Sequence, residues 1–360
     1  MGVHELTLRN FRLFSEFVFV PDPHAVTVLI SPNGTGKTSV LEAIYALATA
    51  ASFRTSVASD MIRIHEPIAD IHGVLFHFER RVQVDLTLTR GARGTTKRML
   101  VNGQRPGSRA ELSEVLPLTV FTPEGVDLVR GGPEHRRQFL TTLLTDVDPS
   151  AADSVERFHR VLAQRNALLR SLDATRSSPG EEGELELWSH ELAEAGELLV
   201  MRREALLSQL TPLVAQFYEQ LARGEDRVEL TYEKSWTGPL AGALNGALRD
   251  DRYRGYTSVG PHRDDVRVLL SGRDARRQSS QGEQRSLALA WRLAGHELVK
   301  RSRGVDPLLL LDDVFSELDP QRADRLMELL PVGQTFVTTA TALPAKLSPA
   351  VVVDLTAVTA

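Results

Sequence analysis

Residues 26–48, VTVLISPNGTGKTSVLEAIYALA, constrain the fold more than any other stretch of this 360-residue chain. The β-branched apolar run at residues 26–30 predicts a buried strand, and apolar residues at helical spacing from Val40 onward predict a helix. The segment SPNGTGKT lies between them. A strand, a glycine-rich loop and a helix in this order are the context in which a phosphate-binding loop works.

The loop carries the residue types that hold a nucleoside triphosphate. Gly34 and Gly36 allow the backbone to turn so that successive N–H groups point at phosphate oxygens, and the N-terminus of the next helix adds partial positive charge. Lys37 supplies a cation for the terminal phosphates, and the Thr38 hydroxyl suits a Mg²⁺ ligand. The predicted nucleotide contacts are Ser31, Pro32, Asn33, Gly34, Thr35, Gly36, Lys37, Thr38 and Ser39.

The first position of the loop departs from the pattern G-x-x-x-x-G-K-[ST], because Ser31 stands where a glycine is usual. The later residues still form the phosphate cradle. The sequence leaves open how tight the first turn of the loop is.

Two segments further along the chain supply other parts of a nucleotide site. Residues 307–320, PLLLLDDVFSELDP, predict a strand buried on both faces that ends in Asp312 and Asp313, where ligands gather in α/β sheets. We predict that Asp312 holds Mg²⁺ and that Asp313 orients or deprotonates the attacking water. Residues 279–286, SSQGEQRS, open a helix whose N-terminus can bind an anion, although a plain N-cap at Ser280 explains the same pattern.

The periodicity divides the chain into a strand-rich lobe, a helical arm and a second lobe. Paired strands are predicted before residue 20 and at residues 70–90, and Asn102-Gly103 predicts a hairpin turn. The pattern from Pro133 to about residue 222 is helical, with a break at residues 173–183 and a coiled-coil-like seam after it. The later strands are predicted at residues 228–232, 264–270 and, last, 335–339. We place an N-terminal lobe with the phosphate loop at 1–130, the arm at 131–225 and a C-terminal lobe at 226–360.

The composition limits the classes of function. The absence of cysteine excludes disulfides, thiolate metal sites and cysteine nucleophiles. No stretch approaches the ~18 apolar residues of a membrane span, so we expect a cytoplasmic protein without a membrane partner. A net charge of −5 argues against coating nucleic acid through bulk charge, but it leaves local patches open. The arginines of the arm are read either as solvated helix faces or as DNA contacts: Arg136, Arg137, Arg157, Arg160 and Arg165.

Several segments spread over almost the whole chain resemble the ABC-type ATPase heads of SMC proteins and, more closely, the RecF family of bacterial recombination mediators. They are LTLRNFRLF, SPNGTGKTSVLEAIY, FTPEGVDLVRGGPEHRRQFL, RVLAQRNALLR, TSVGPHRDD, SSQGEQRSLALA and LLLLDDVFSELD. PHRDD and QRNALL are specific to the RecF family. Unlike ABC heads in general, this chain has Asp313 in place of a glutamate. Thr339 and Ala340 stand where a switch histidine is usual. Both departures imply slow hydrolysis.

The resemblance implies an α/β fold: an ABC-type (P-loop NTPase) head with a strand-rich lobe, a mixed parallel sheet and an inserted antiparallel helical arm. It implies a weak, DNA-dependent ATPase with ATP and Mg²⁺ as cofactors, in which Lys37, Thr38 and Asp312 act in cis. The signature residues Ser280, Gly282 and Glu283 would act in trans, within an ATP-dependent homodimer.

The implied role is in DNA repair, DNA replication and the SOS response, as a clamp on duplex DNA near single-strand gaps. RecR and RecO are the implied protein partners. On family grounds alone, Arg12 and Arg54 are candidate contacts to the nucleotide or to DNA.

Two further classes of function stay open. A nucleotide-binding subunit of a membrane transporter would carry an LSGGQ signature, a glutamate base and a switch histidine, none of which this sequence has. A scaffold that binds ATP without hydrolysing it is harder to reconcile with the intact pair Asp312-Asp313. An assay of phosphate release separates it from an ATPase.

Overall fold

The computed structural model describes residues 2–22, 26–77, 80–107, 115–171, 179–222, 226–330, 333–340 and 351–355. The chain forms two compact units. The first unit comprises Met1–Gly125, Gln220–Arg223 and Arg292–Ala360, and the second comprises Val126–Glu219 and Gly224–Trp291. The three-part division at residues 130 and 225 was drawn from motifs rather than contacts, and it stays a prediction.

Strands dominate the first unit and helices the second. The strands are β1 Gly2–Phe11, β2 Phe14–Phe19, β3 Val26–Ile30, β4 Ile68–His77, β5 Arg80–Gly91, β6 Gly94–Val101, β7 Leu118–Phe121, β8 Val228–Glu233, β9 Asp265–Leu270, β10 Arg273–Asp274, β11 Leu308–Asp312, β12 Thr335–Thr339 and β13 Val351–Asp354. The helices are α1 Lys37–Thr49, α2 Asp127–Arg130, α3 Pro133–Val147, α4 Ala151–Ser171, α5 Pro179–Ala222, α6 Leu240–Arg254, α7 Ala275–Gln278, α8 Gln281–Arg303 and α9 Pro320–Leu329. Short 3₁₀ turns occur at Ala58–Met61, Pro123–Val126 and Val314–Glu317.

Two sheets of the first unit enclose α1. One sheet is antiparallel in the order β2-β1-β4-β5-β6, and the other has the order β13-β3-β12-β11-β7. Helix α1 contacts strands of both sheets, and ten of its thirteen residues are buried. A helix that is apolar on nearly all sides needs such a position, because it has no face to give to water. The predicted α/β fold class is therefore confirmed.

The second of these sheets brings three strand ends to one edge. All of its strand pairs are parallel, so the sheet that we predicted as mixed is parallel throughout its five described strands. The antiparallel strands of the first unit belong to the separate sheet β2-β1-β4-β5-β6, and β10-β9-β8 form an antiparallel sheet in the second unit. Register places Asp312 opposite Thr338 and Thr339 opposite Ile30. The phosphate loop, the acid pair and the end of β12 therefore meet at the carboxyl edge, where α/β sheets bind ligands.

The sequence analysis missed the last strand of the described chain. We predicted Thr335–Thr339 as the last strand, but β13 follows it and pairs with β3. Its four residues alternate between half-buried and exposed. So short a run gives little periodic signal from which to predict a strand.

Most of the arm lies within the second unit, and its helices are antiparallel, as predicted. Along the contacts between α4 and α5, residue numbers rise on α4 while they fall on α5. Arg157 binds Glu191 and Glu194, Arg165 binds Ser189, and Leu169 packs with Leu185. Seam residues Leu185, Leu192, Ala195, Leu199 and Leu206 are buried, whereas Trp188 is half-buried. Of the predicted break at 173–183, residues 173–178 lie outside the described part, and residues 179–183 belong to α5.

Two arginines of the arm fit neither reading that we gave them. The Arg136 side chain is 4% exposed and binds Asp265 with two hydrogen bonds of 2.7 and 3.0 Å. Arg165 and Asp251 are both fully buried and lie 2.8 Å apart. A buried charge of this kind is tolerated because it is paired and hydrogen-bonded. Arg136 and Arg165 are therefore neither solvated faces nor available DNA contacts.

Within the described ranges, no helix is long and apolar enough to cross a membrane.

Candidate active site

Two glycines give the phosphate loop its shape. Gly34 has φ +85° and Gly36, the N-cap of α1, has φ +101°. Side chains rarely adopt this left-handed region, so glycine is favoured at both positions. A Cβ atom on Gly36 would also lie only 2.6 Å from Cζ of Phe14. The second glycine of the motif is therefore required by its backbone angle and by the strand packed against it.

Ser31, by contrast, stands where no glycine is needed. The φ angle of Ser31 is not positive, so its backbone does not require glycine, and its side chain is buried. Its hydroxyl donates to Oγ1 of Thr35 at 2.5 Å, and the Thr35 hydroxyl donates to the Pro32 carbonyl at 2.9 Å. These side chains close the first turn of the loop. The sequence left open how tight the first turn of the loop is. In the structure this turn is held by hydrogen bonds of the Ser31 and Thr35 hydroxyls, without a glycine.

Lys37 crosses the loop that precedes it. Its ammonium donates to the carbonyl oxygens of Ser31 and Pro32, at 2.5 and 2.8 Å. Burial lowers the pKa of Lys37, while the negative charges of Asp313 and Asp312 act in the opposite direction. The ammonium is thus partly dehydrated and held against the loop, an arrangement that favours binding of a polyanion.

Asp312 joins the phosphate loop to β12. Its Oδ1 accepts hydrogen bonds from the hydroxyls of Thr38, at 2.8 Å, and Thr338, at 2.7 Å. Burial raises the pKa of Asp312, although both hydrogen bonds act to lower it. A carboxylate beside a threonine hydroxyl offers the hard oxygen ligands that Mg²⁺ prefers, with the remaining positions left to phosphate and water. The residues at this site therefore fit a magnesium ion.

Asp313 has an unusual backbone and an unused acceptor. Its φ is +48°, a left-handed conformation that Asp tolerates better than most residues. Its N–H faces Thr338, with the hydroxyl at 2.9 Å and the carbonyl at 3.2 Å. Its Oδ1 is buried and has no hydrogen-bond partner within the described part of the chain. A buried acceptor without a partner is costly, and such groups cluster at functional sites.

A cavity of about 880 Å³ opens over these groups. Its lining includes Gly34, Gly36, Lys37, Thr38 and Asp313. It also includes residues that the motif did not point to: Asp60, Ile62, Arg63, Ile64, His65 and Glu66. This size is typical of a ligand cleft.

A buried acid that the sequence analysis missed holds both candidate arginines of this cavity. Glu42 is fully buried on α1 and accepts from Nε of Arg12 at 2.7 Å and from Nη2 at 2.5 Å. Nη1 of Arg54 lies 3.4 Å from the same carboxylate, and the Ser52 hydroxyl also donates to it. A glutamate among apolar helix positions was the signal available in the sequence. Glu42 fixes Arg12 and Arg54 at the edge of the cavity.

The Arg90 side chain binds the segment of residues 59–66, which lines the cavity beside the phosphate loop. Its Nη2 donates to the carbonyls of Ser59 at 2.9 Å and Ile62 at 3.3 Å, and its Nε donates to the carbonyl of Glu66 at 3.2 Å. Its backbone N–H donates to the Pro67 carbonyl at 2.8 Å. One guanidinium therefore spans the segment from Ser59 to Glu66.

We expect Arg90→Ala to weaken ATP binding about three- to tenfold, because it removes three hydrogen bonds that position the cavity wall, and a loss of binding free energy equal to one such bond, about 0.5–1.5 kcal/mol, corresponds to roughly this factor. Arg90→Lys should recover part of the loss. Arg93→Ala, an exposed position on the same hairpin, is the matched control. Titration with a fluorescent ATP analogue measures the affinities. Equal affinity for Arg90→Ala and wild type would show that the wall keeps its position without Arg90.

The signature segment lies in the second unit and forms a capping box. The Ser280 hydroxyl accepts from the Glu283 N–H at 3.3 Å, and the Glu283 carboxylate accepts from the Ser280 N–H at 2.6 Å. This is the plain N-cap reading of the sequence. Gly282 lies in the first turn of α8. The roles of Ser280, Gly282 and Glu283 toward a nucleotide stay a prediction.

Parallel strands that deliver a phosphate loop and an acid pair to the same edge, around a buried first helix, define an ATPase head of the ABC type. The model of the family "RecF/RecN/SMC N terminal domain" matches residues 2–348. The chain belongs to this family and, within it, to the RecF proteins.

Relatives and solved structures support this assignment. The DNA replication and repair protein RecF of Geobacter sulfurreducens is 39% identical over an alignment of 352 residues, and the match covers 94% of this chain and 93% of that protein. The same-named protein of Streptomyces avermitilis is 36% identical, with 94% and 93% covered. A structure of the recombination mediator protein RecF with ATP, in the RecFOR pathway, has a TM-score of 0.87 at 26% identity, covering 97% of this chain and 94% of that one.

A second RecF structure, with ATPrS, has a TM-score of 0.84 at 27% identity and covers 94% of this chain and 92% of that one. An Smc head bound to the C-winged helix domain of ScpA is 15% identical, has a TM-score of 0.52 and covers 95% and 90% of the two chains. It shows the shared fold alone. The predicted RecF resemblance and the ABC-type fold are confirmed, and a transporter subunit is left without support.

Proposed function

We propose that the chain is an ATP-dependent DNA-binding ATPase of recombinational repair and replication-fork recovery. Its ATP-bound dimer would clamp duplex DNA near single-strand gaps and help to load a recombinase together with RecO and RecR. The observation that carries the ATPase part is Asp312, whose Oδ1 accepts hydrogen bonds from Thr38 of the phosphate loop and from Thr338 of β12. The DNA part is supported by the names of the relatives, which are DNA replication and repair proteins.

In this proposal the chain's own groups divide the work. The backbone N–H groups at the start of α1 and the Lys37 ammonium bind the phosphates. Thr38 and Asp312 would hold Mg²⁺, which when bound supplies positive charge against the phosphate oxygens. Asp313 lines the cavity, its buried Oδ1 has no hydrogen-bond partner among the described residues, and its carboxylate takes the proton of the attacking water. Aspartate is shorter than the glutamate usual in ABC heads, which favours slow hydrolysis and a timing role.

The dimer is proposed to place the signature segment of one protomer on the nucleotide held by its partner. In the protomer, the Ser280 hydroxyl already caps α8, and helix N-termini favour anions. Formation of each dimer interface would therefore need ATP bound to one protomer and an unobstructed Ser280 on its partner. Because coupling is reciprocal, DNA that binds the dimer must also favour its formation.

Sedimentation of the protein with and without ATP, and with gapped duplex DNA, tests this proposal. We expect a monomer alone, a dimer with ATP and a tighter dimer when DNA is added. Ser280→Arg should bind ATP with near-normal affinity and fail to dimerise, because the large side chain obstructs only the partner's site. Thr96→Arg, an exposed position on β6, is the control and should dimerise normally.

A mixture of Ser280→Arg with Lys37→Met should form at most one competent interface of the two. Loss of ATP binding by monomeric Ser280→Arg would mean that the segment acts in cis. A wild-type protein that stays monomeric with ATP and DNA would contradict the dimeric clamp.

A further inference from the structure

Two tyrosines stand out on the surface of the second unit. Tyr253, in the last turn of α6, is 84% exposed, and Tyr256, just after it, is 39% exposed. The helix ends at Arg254 and is capped by Gly255, whose φ is +71° and whose N–H donates to the Asp251 carbonyl at 2.8 Å. This left-handed turn fixes the position of Tyr256 relative to the helix.

Arginines surround these rings. The Arg263 guanidinium lies over the Tyr256 ring, 5.2 Å from its centroid, and the half-exposed side chain of Arg254 belongs to the residue just before the turn that leads to Tyr256. Arg249 is exposed one helical turn before Tyr253, so the two share a face of α6. A cation over a ring face is an attractive contact that also holds the ring in place. We call Arg249, Tyr253, Arg254, Tyr256 and Arg263 the Tyr–Arg surface.

The acids nearby are already engaged. Asp251 is buried against Arg165, and Asp250 lies 3.6 Å from Arg254. Asp264 is buried and accepts hydrogen bonds from the Tyr232 hydroxyl and the Ser235 N–H. Glu182 faces Arg252 at 3.9 Å. The Tyr–Arg surface therefore carries an excess of positive charge, although the whole chain has a net charge of −5.

The chemistry of this surface favours nucleic acid over a protein partner. On α6 and the turn that follows it, as far as they are described, no large aliphatic side chain is exposed. Aliphatic neighbours are what an apolar protein contact would require. Exposed rings among arginines are the arrangement that binds single strands, since unpaired bases stack on the rings and phosphates pair with the cations. A duplex keeps its base faces stacked internally and offers only its backbone.

We propose that the Tyr–Arg surface binds the single-stranded part of gapped DNA, with an unpaired base stacked on Tyr253. This inference rests on the proposed DNA-binding function and adds to it the strand that is contacted. Arg249, Arg254 and Arg263 would contact phosphates, and Tyr256 would be held ready for a second base.

The test uses the full-length protein with ATP and three labelled DNAs: a blunt duplex, a gapped duplex, and a gapped duplex whose gap consists of abasic residues. The two gapped DNAs carry the same phosphate charge and differ only in their bases. By fluorescence anisotropy, we expect wild type to bind the gap with bases about tenfold more tightly than the abasic gap, because one stacked base contributes on the order of 1–3 kcal/mol.

Tyr253→Ala should lose that tenfold preference and keep its affinity for the blunt duplex. Tyr253→Phe should retain the preference because the ring remains. Leu187→Ala removes a side chain that is 57% exposed on α5 and is the control that should change nothing.

The inference is overturned if Tyr253→Ala keeps the preference for bases, if wild type shows none while still binding duplex, or if Tyr253→Ala loses duplex and gapped DNA equally. It is also overturned if Tyr253→Ala binds all three DNAs normally and loses only a purified protein partner. A wild-type protein that binds none of the DNAs refutes the proposed function itself, so the two failures are distinguishable.

Discussion

Replacing Lys37 with methionine should weaken ATP binding ~100-fold or more and reduce hydrolysis to background. The Lys37 ammonium is buried against the loop and donates to the carbonyls of Ser31 and Pro32. Methionine keeps most of the side-chain volume and removes the charge. Hydrogen bonds to charged groups contribute on the order of 1.5–3 kcal/mol each, and 1.4 kcal/mol is about tenfold in affinity.

Lys97→Met is the matched control for Lys37→Met. The Lys97 ammonium donates to the Ala50 carbonyl at 2.7 Å, at the other end of α1 from the phosphate loop. Its removal should leave ATP affinity near the wild-type value. Titration with a fluorescent ATP analogue and a phosphate-release assay measure both variants, and thermal melting confirms that both fold. ATP affinity in Lys37→Met within threefold of wild type would show that the loop backbone alone holds the nucleotide.

The sequence predicted those parts of the site that are local in the chain. A strand, loop and helix occupy consecutive residues at 26–49, and the acid pair ends an apolar strand at residues 308–312. Each pattern carries its own periodicity and turn chemistry, so each can be recognised without knowing what packs against it. Both patterns end at the carboxyl edge of one sheet, where α/β sheets bind ligands, although the sequence had predicted that sheet as mixed rather than parallel throughout.

The parts that were missed depend on partners distant in sequence. Arg12 and Glu42 are 30 residues apart, and Arg90 reaches back 31 residues to Ser59. In the arm, Arg165 pairs with Asp251, 86 residues away. Spacing in the sequence cannot show which arginine will find a buried carboxylate, because the pairing is decided by the packing of separate elements. For the same reason, the sequence analysis placed Arg165 on the surface of its helix, because nothing in the sequence shows that Asp251 will pair with it inside the fold.

The matched test of Asp313 needs a second acid from the same cavity. Asp60 also lines it, and the Thr55 hydroxyl donates to its carboxylate at 2.8 Å. Asp60→Asn therefore removes a negative charge from the same cavity, but from a carboxylate that already has Thr55 as a hydrogen-bond partner. We expect this control to hydrolyse ATP at close to the wild-type rate.

Asp313→Asn, in contrast, should keep ATP affinity and lower kcat about 10²–10⁴-fold, the range in which a positioned general base contributes. Asparagine tolerates the φ of +48° as well as aspartate does and has the same shape, so the backbone contacts to Thr338 remain. What is lost is the carboxylate whose Oδ1 is unpartnered in the described structure. A fall in kcat without a rise in KM identifies a group that acts in the transition state. Because ATP is bound and not consumed, the dimer should also persist longer in sedimentation.

Hydrolysis by Asp313→Asn at the wild-type rate would refute the assignment of Asp313 as the base. A wild-type protein that releases no phosphate, with or without DNA, would favour the ATP-binding scaffold instead.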